Sequence, residues 1–214
     1  MEMFRLMWER FGPQHWWPAE TPLEVIIGAV LTQNTNWKNV EKAMENLRGK
    51  GLLSLDILHS MESSGLAEEI QPAGYYNIKA KRLKNLIDYI FDEYEGDLSA
   101  FLEAGTPGLR EGLLSVKGVG PETADSILLY AAGRPIFVVD AYTYRILHRH
   151  GMVEDPSIYQ ELQALFMDHL PEDPLLFNEF HALIVRVGKK FCKRKPLCAE
   201  CPLSSWESTD LLRE

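Results

Sequence analysis

The sequence predicts an all-α protein, and three observations indicate this fold class. Apolar residues recur at the three- and four-residue intervals of amphipathic helices along most of the chain. Strand signals are weak, since the apolar and partly β-branched run at residues 136–139 is too brief to require a sheet. The 214 residues contain no repeat and no low-complexity linker, and they suffice for one large or two small domains. We expect two helical domains with a cleft between them, formed by residues 1–22 plus 136–214 and by residues 23–135.

The first predicted helix has a complete start signal. Thr21 suits the N-cap position, Pro22 suits the first helical position, and Glu24 follows three residues after Thr21 as in a capping box. Later stretches repeat the helical spacing without so full a signal. These further predicted helices cover residues 39–47, 55–61, 80–94, 98–104, 109–116, 124–131, 142–150, 158–169 and 175–190.

A Gly-x-Gly turn separates two of the predicted helices. Gly118 and Gly120 have no Cβ, so the backbone can take positive φ and approach an oxygen atom closely. Thr123 lies at the start of the helix that follows, and the free N–H groups and dipole of a helix N-terminus favour anions. The turn is therefore a candidate phosphate site, with a simple tight turn between packed helices as the alternative.

A single carboxylate, Asp140, follows the apolar run at residues 136–139. It is a candidate catalytic acid, although Asp is also a preferred N-cap residue and could only begin the next helix. The turn and Asp140 together combine a means of holding a nucleic-acid backbone with a reactive group, in fewer than thirty residues. This joint pattern is more specific than either half.

Charge and hydropathy limit the class of protein. The formal net charge of −9 counts against a generic nucleic-acid binder, because Lys and Arg supply most affinity for phosphates. No apolar run approaches the roughly 20 residues of a membrane span, and the N-terminus lacks a signal peptide, so a cytoplasmic protein without membrane contact is expected. Basic residues cluster in three places that could contact DNA or could be solvated helix faces. These clusters are Lys79, Lys81, Arg82 and Lys84; Lys189, Lys190, Lys193, Arg194 and Lys195; and Arg145, His148, Arg149 and His150.

All three cysteines, Cys192, Cys198 and Cys201, fall within ten residues. In a cytosolic protein this spacing is typical of metal or cluster ligation and not of a disulfide. Three thiolates can hold an iron–sulfur cluster if a ligand of another type completes it. Zinc with a fourth ligand and a loop without metal are the alternatives.

The chain resembles the helix-hairpin-helix, glycine/proline-rich, aspartate (HhH-GPD) superfamily of DNA glycosylases, of which endonuclease III is the best-known member. The resemblance covers about residues 20–203 and includes the glycine turn, Asp140, residues 31–37, residues 74–82 and the cysteine segment. It implies an all-α fold whose second domain is assembled from both chain ends, with double-stranded DNA containing a damaged base bound in the cleft. It further implies a hairpin that grips a phosphate, often with a monovalent cation on its carbonyls, and an essential role for Asp140 in cleaving the base–sugar bond.

Two positions depart from endonuclease III. Members that also cut the strand carry a lysine two residues after the second hairpin glycine, where this chain has Glu122. A carboxylate cannot form the imine, so we expect a monofunctional hydrolase of EC 3.2.2 type without a lysine-dependent lyase step. The resemblance also implies a 4Fe-4S cluster held by four cysteines, but the fourth position is Glu207.

The choice of base is indicated by tryptophans. Residues 14–18 (Gln-His-Trp-Trp-Pro) and Trp37 resemble the aromatic pocket of the 3-methyladenine DNA glycosylase III branch. Trp16, Trp17 and Trp37 are thus candidates to stack on a flipped, alkylated purine through cation–π attraction, with core packing as the alternative. Lys189 resembles a pocket lysine of that branch, with a contact to a DNA phosphate as the alternative. Leu183 stands where that branch has a modified lysine.

Gln33 occupies the position of a polar residue that fills the space left by the extruded nucleotide in the family. A glutamine that satisfies buried backbone groups between helices is the alternative. We therefore expect a monomeric base-excision glycosylase acting on alkylated purines such as 3-methyladenine. An endonuclease III-like activity on oxidised pyrimidines is disfavoured by Glu122, and a catalytically silent DNA-damage binding module is disfavoured by Asp140.

Overall fold

The computed structural model describes residues 1–206, which form helices and connecting segments without a β-strand, so the all-α prediction is confirmed. The helix after the glycine turn continues from α9 into a π-helical stretch at Ile127–Ala131, and Gln71–Ala73 and Cys198–Glu200 are short 3-10 turns. The α-helices are α1 (Glu2–Phe11), α2 (Pro22–Leu31), α3 (Trp37–Gly49), α4 (Leu55–Ser60), α5 (Ser63–Glu69), α6 (Tyr76–Tyr94), α7 (Leu98–Glu103), α8 (Thr106–Ser115), α9 (Pro121–Ser126), α10 (Ala141–Arg149), α11 (Tyr159–Met167) and α12 (Pro174–Lys190).

The chain divides into two compact units. The central unit comprises Ala19–Arg134 and contains α2–α9, and the terminal unit comprises Met1–Pro18 and the chain from Pro135 onward. Helix α1, which the sequence analysis did not predict, places Met3 and Met7 in the core of the terminal unit. No helix within residues 1–206 is both long and apolar enough to cross a membrane.

The core of the central unit is built around α2. The Thr21 side chain accepts a hydrogen bond from the Glu24 amide (3.2 Å), which confirms the predicted N-cap. Every residue from Leu23 to Leu31 is buried, and the carboxylate of Glu24 is paired with Arg48 at 2.8 Å. Helix α2 is thus enclosed by the core, which fixes the position of the residues that follow it, Gln33 among them.

In the terminal unit, Phe137, Val138 and Val139 of the 136–139 run are buried, and the run forms no sheet. Its polar backbone groups bond to side chains, as when Gln163 Nε2 donates to Phe137 O (2.7 Å) and the amide of Val139 donates to the hydroxyl of Tyr159 (3.3 Å). The Phe137 ring stacks on Phe166 with centroids 3.9 Å apart. Apolar packing therefore anchors the segment that leads into α10.

Helices α10 and α12 approach each other closely at Gly188. A Cβ atom at this position would lie 2.3 Å from Cδ1 of Tyr142. Arg145 on α10 then donates to Cys192 O (2.6 Å) and Gly188 O (3.3 Å), which satisfies carbonyls at the end of α12. The start of α10 is thereby held against α12.

Candidate active site

The predicted glycine turn connects α8 to α9 and uses its two glycines differently. Gly118 has φ +104°, and a Cβ there would lie 2.3 Å from Cγ of Arg82, so only glycine fits. Gly120 is the N-cap of α9 with φ −100°, and a Cβ there would meet no atom within 4 Å. Helix α9 has no side-chain cap, and Pro121 lies in its first turn. The space beside the N-cap of α9 is therefore open, and an anion site at a helix start requires such space.

Gln33, expected to fill the space of the extruded nucleotide, is bonded to this turn. Its Nε2 donates to Gly118 O (3.0 Å) and to Thr123 Oγ1 (3.0 Å), and its Oε1 accepts from Arg82 Nη1. The Thr123 side chain is buried and not directed into solvent. Gln33 and Thr123 thus fix the inner side of the turn, in accord with the alternative of a glutamine that satisfies groups between helices.

Two carbonyls of the turn accept side-chain amides, Lys117 O from Asn85 Nδ2 (2.8 Å) and Gly118 O from Gln33. A carbonyl oxygen has a second lone pair, so these atoms retain acceptor capacity. The monovalent cation expected here stays a prediction.

The first basic cluster is not the exposed patch that the sequence analysis suggested. Lys79 is 1% exposed, and its Nζ donates to Leu31 O (2.8 Å) and Ala73 O (2.7 Å). Burial, together with the charge of Arg82, lowers the pKa of Lys79 to about 8. Lys84 is bonded to the carbonyls of residues 58 and 59. These two lysines stabilise the folded chain, which leaves Lys81 as the exposed lysine of the cluster.

Asp140 is the N-cap of α10 and carries the negative charge at the start of that helix. Its Oδ1 accepts from the amide (2.8 Å) and the hydroxyl (2.9 Å) of Thr143, and its own amide donates to Thr143 Oγ1 (3.4 Å), which completes a capping box. The N-cap interpretation of Asp140 therefore applies to Oδ1, and the catalytic interpretation stays a prediction. Oδ1 begins the helix, and Oδ2 is not used by the cap.

Oδ2 of Asp140 lies 3.7 Å from Nε2 of His181, which is buried on α12. Burial by itself would raise the pKa of Asp140, but His181 and the hydrogen bonds from Thr143 outweigh it and hold that pKa below its usual value. The Asp140 side chain is 12% exposed. It is thus an ionised carboxylate in a mostly dry setting, which suits stabilisation of a developing positive charge.

Trp16 and Trp17 lie in the terminal unit, in the segment after α1, and their rings meet edge to face with centroids 5.8 Å apart. Both are half-buried. The ammonium of Lys189 lies 5.6 Å from the centre of the Trp16 ring, so the structure brings these predicted pocket residues together. Trp37 is the first residue of α3 in the central unit and is also half-buried.

The three cysteines line one cavity of about 140 Å³, which also touches Arg149 and His150. Arg149 Nη1 donates to Cys192 Sγ at 3.2 Å, and burial, with the neighbouring thiols, raises the pKa of Cys201. Within residues 1–206, no three His, Cys, Asp or Glu side chains converge on one metal position. The donors suit a cluster in kind but do not form a complete set, and Glu207, at the fourth position, lies outside the described residues. We therefore assign the segment no chemical step.

Three further residues with possible roles were not predicted from the sequence. His181 and Glu179 lie on α12, far along the chain from the groups they meet, so local spacing carries no signal for them. Tyr75 precedes α6 with φ +47° and is 70% exposed. An exposed aromatic ring can stack on a base, and the glycine-aromatic motif at 74–76 was the available signal.

Comparisons with known proteins agree with this arrangement. Residues 27–172 match the family described as "HhH-GPD superfamily base excision DNA repair protein". A protein of Methanocaldococcus jannaschii named as a putative DNA repair glycosylase is 47% identical over 96% of this chain and 94% of its own length. Endonuclease III of Thermotoga maritima is 31% identical over 95% of this chain and 90% of its own.

Among solved structures, a 3-methyladenine DNA glycosylase of H. pylori (MagIII), bound to 1,N6-ethenoadenine, matches with a TM-score of 0.75 and 32% identity. The match covers 88% of this chain and 96% of the other. A trapped endonuclease III–DNA covalent intermediate shares the fold with a TM-score of 0.81 over 99% and 96% of the two chains, at 24% identity. The chain belongs to the HhH-GPD superfamily of base excision DNA repair proteins and is a DNA repair glycosylase of that family.

Proposed function

We propose that this protein is a monofunctional DNA glycosylase that hydrolyses the N-glycosidic bond of a flipped, alkylated purine such as 3-methyladenine. The observation that carries the proposal is the divided use of Asp140, whose Oδ1 caps α10 while Oδ2 faces His181 in a mostly buried setting. A carboxylate so fixed is preorganised for charge that develops on the sugar.

In this proposal Asp140 acts on the deoxyribose. Its negative charge stabilises the oxocarbenium-like transition state as the base departs, and the same carboxylate orients or deprotonates the attacking water. The product is an abasic site. The low pKa of Asp140 keeps the group ionised at neutral pH, as stabilisation of a cationic sugar requires.

The hairpin supplies the grip on the DNA backbone. The N-terminal amides of α9, next to the open position at Gly120, would receive a phosphate of double-stranded DNA. This contact does not depend on sequence and would weaken as salt concentration rises. It offers a phosphate contact that does not depend on lysine, in a chain whose formal net charge is −9.

Glu122 argues against a lyase step. It is exposed in the first turn of α9, at the position where bifunctional members carry the nucleophilic lysine. A carboxylate cannot form a Schiff base with C1′, so hydrolysis is the route that remains at this position. Strand cleavage would then require a separate enzyme or alkali.

The preference for an alkylated purine is supported by the tryptophans and by the relative from H. pylori, whose structure contains a modified adenine. Trp16 and Trp17 present large rings held in place beside Lys189, and Trp37 presents a third in the central unit. Aromatic faces attract the electron-poor ring of an alkylated purine more strongly than that of a normal base. Binding by stacking also tolerates more than one purine lesion.

The second candidate function is excision of oxidised pyrimidines. The 31% identity to endonuclease III of Thermotoga maritima favours it, whereas Glu122 disfavours the lyase half of such an activity. The two functions differ in substrate and in the covalent intermediate, so one assay distinguishes them.

The test uses duplexes that each carry 3-methyladenine, an oxidised pyrimidine or uracil. We expect an abasic product from the first duplex, strand breaks only after alkali, and no adduct on borohydride trapping. A trapped protein–DNA adduct would disprove monofunctional hydrolysis. Release of the oxidised pyrimidine alone would transfer the assignment to the second function.

A further inference from the structure

We propose that Glu179 is a positioning residue that holds the tryptophan loop, defined as residues 12–18, in the shape that binds the damaged base. The inference rests on the proposed function, because it takes Trp16 and Trp17 as part of the base pocket. It adds a residue of α12 that has no direct role in the chemistry.

The carboxylate of Glu179 receives consecutive backbone amides of the loop. Oε2 accepts from Gln14 N at 2.9 Å, while Oε1 accepts from Gln14 N at 3.2 Å and from His15 N at 3.1 Å. Hydrogen bonds to an ionised acceptor are stronger than those between neutral groups. The residue immediately after these two amides is Trp16.

The loop needs such an anchor because it has no helix of its own. It leaves α1 at Gly12, which has φ +63°, and His15 is a non-glycine residue with φ +51°. Local support comes from the Gln14 side chain, which donates to Gly12 O at 2.7 Å. A left-handed residue such as His15 persists only where its surroundings fix it, and Glu179 provides that restraint.

Helix α12 contacts the loop a second time through Lys189, whose ammonium lies 5.6 Å from the centre of the Trp16 ring. Glu179 thus fixes the backbone before Trp16, and Lys189 contacts its ring. A stacking pocket tolerates displacements of only about 0.5 Å, so loss of the backbone anchor should weaken base binding. Because the hydrogen bonds of Glu179 within residues 1–206 go to backbone amides of the loop, it should act on affinity more than on the chemical step.

The test compares the intact protein with Glu179→Ala and Glu179→Gln. Labelling with 5-fluorotryptophan gives a ¹⁹F signal for each tryptophan, and Trp16→Phe and Trp17→Phe assign the two that matter. Each protein is titrated with 3-methyladenine as the free base, and excision is measured under single-turnover conditions as a function of enzyme concentration.

We expect Glu179→Ala to shift the Trp16 and Trp17 signals and to raise the Kd for the free base about tenfold, the effect of losing one charge-assisted bond. The single-turnover rate at saturating enzyme should change much less. Glu179→Gln should be intermediate, because its amide oxygen accepts one N–H while its NH₂ group faces the other. The signals of Trp8, Trp37 and Trp206 should stay in place.

Asp173→Ala is the matched control. Asp173 is also a carboxylate of the α12 region that accepts a backbone amide, that of Leu175 at 2.8 Å, but it does not bond to the loop. Its loss should lower stability and leave the Trp16 and Trp17 signals unchanged. If Asp173→Ala moves them as Glu179→Ala does, the effect is general destabilisation and the inference is wrong.

Two other results would overturn the inference. Unchanged Trp16 and Trp17 signals in Glu179→Ala would show that the carboxylate does not hold the loop. Moved signals with an unchanged Kd and excision profile would show that the loop is not part of the base pocket. Failure of the proposed function is seen separately, as an intact protein that excises none of the alkylated purines tested.

Discussion

Two helices that carry candidate site residues, one in each unit, begin in opposite ways. Helix α9 starts at Gly120 without a side-chain cap, and the space around that glycine is open. Helix α10 starts at Asp140 with a complete capping box, so the amides of Asp140 and Thr143 are bonded within the chain. The same kind of backbone terminus is left for a ligand in one case and is closed in the other.

This difference shows how each terminus is suited to its proposed task. An open helix start can exchange water for a phosphate without breaking a protein hydrogen bond. A closed start makes the capping side chain rigid, and here that side chain is the carboxylate whose second oxygen is available for chemistry. In the proposed function, phosphate binding thus relies on the missing side chain at Gly120. The reaction relies on the Asp140 carboxylate, which Thr143 holds through two hydrogen bonds.

Replacement of Asp140 should have the largest effect. Asp140→Asn removes the charge but keeps an N-cap residue, so we expect base excision to fall about 10³-fold with little loss of stability. The single-turnover excision rate and the melting temperature are the measurements. DNA affinity should stay within a few-fold of that of the intact protein. Retained excision would assign the reaction to another group.

The glycine pair gives the second largest effect. Gly118→Ala places a Cβ 2.3 Å from Cγ of Arg82 at φ +104°, so we expect the free energy of unfolding to fall by about 2 kcal/mol or more. Gly120→Ala should cost only about 0.5 kcal/mol. It should still weaken DNA binding, because its Cβ enters the space left for phosphate. Urea unfolding and a salt titration of DNA affinity measure the two effects.

The comparison would break if the two glycines behaved alike. Equal losses of stability would mean that Gly120 is as constrained as Gly118, contrary to its open surroundings. Full DNA affinity in a stable Gly120→Ala variant would remove the start of α9 from the DNA contact.

Gln33→Ala should have a smaller effect on stability. It deletes the donor to Gly118 O and Thr123 Oγ1 and the acceptor of Arg82, which should lower the free energy of unfolding by about 1–2 kcal/mol. Lys38→Ala, at an exposed position of α3, is the control. If Gln33→Ala leaves stability unchanged but impairs excision, Gln33 acts on the extruded nucleotide as the resemblance suggested.

The smallest expected effect is a shift in pH dependence. The pKa of Asp140 is held below its usual value, so its ionised form stabilises the fold above the unfolded pKa, and this stabilisation is lost as pH falls through the folded pKa. His181→Asn removes one cause of the lowering. The acid limb of the excision profile should therefore move to higher pH.

His148→Asn, on the outer part of α10, is the control for this experiment, because within residues 1–206 its ring contacts the carbonyl of Val153 and the ring of Tyr144 and not Asp140. An acid limb that does not move in His181→Asn would mean that the Thr143 hydrogen bonds alone determine the ionisation of Asp140.

The sequence predicted those features that depend on neighbouring residues. The cap at Thr21 and the helical class follow from local spacing and propensity, as does the expectation that the brief apolar run at 136–139 need not form a sheet. The cap at Asp140 could be predicted because it depends on the residues beside it, whereas its catalytic role stays a prediction. Local sequence rules therefore predicted the residues at which α2 and α10 begin.

Contacts between distant segments were not predictable in this way. Glu179 meets an amide 165 positions earlier in the chain, and nothing in the spacing of α12 distinguishes it from a solvated glutamate. Lys79 was grouped with basic neighbours, although its helical phase places it inward, where Leu31 O and Ala73 O replace water around its ammonium. A count of charges cannot separate buried lysines from exposed ones.

The close contact of α10 with α12 requires that the side chain at position 188 be no larger than the hydrogen atom of glycine. Tyr142 fills the space that any larger side chain at this position would need, so α10 would have to move outward from α12. Such a shift would change the separation of Asp140 from His181 while leaving every reacting group chemically intact. A variant with a larger side chain at position 188 could thus be inactive solely because α10 and α12 lie farther apart.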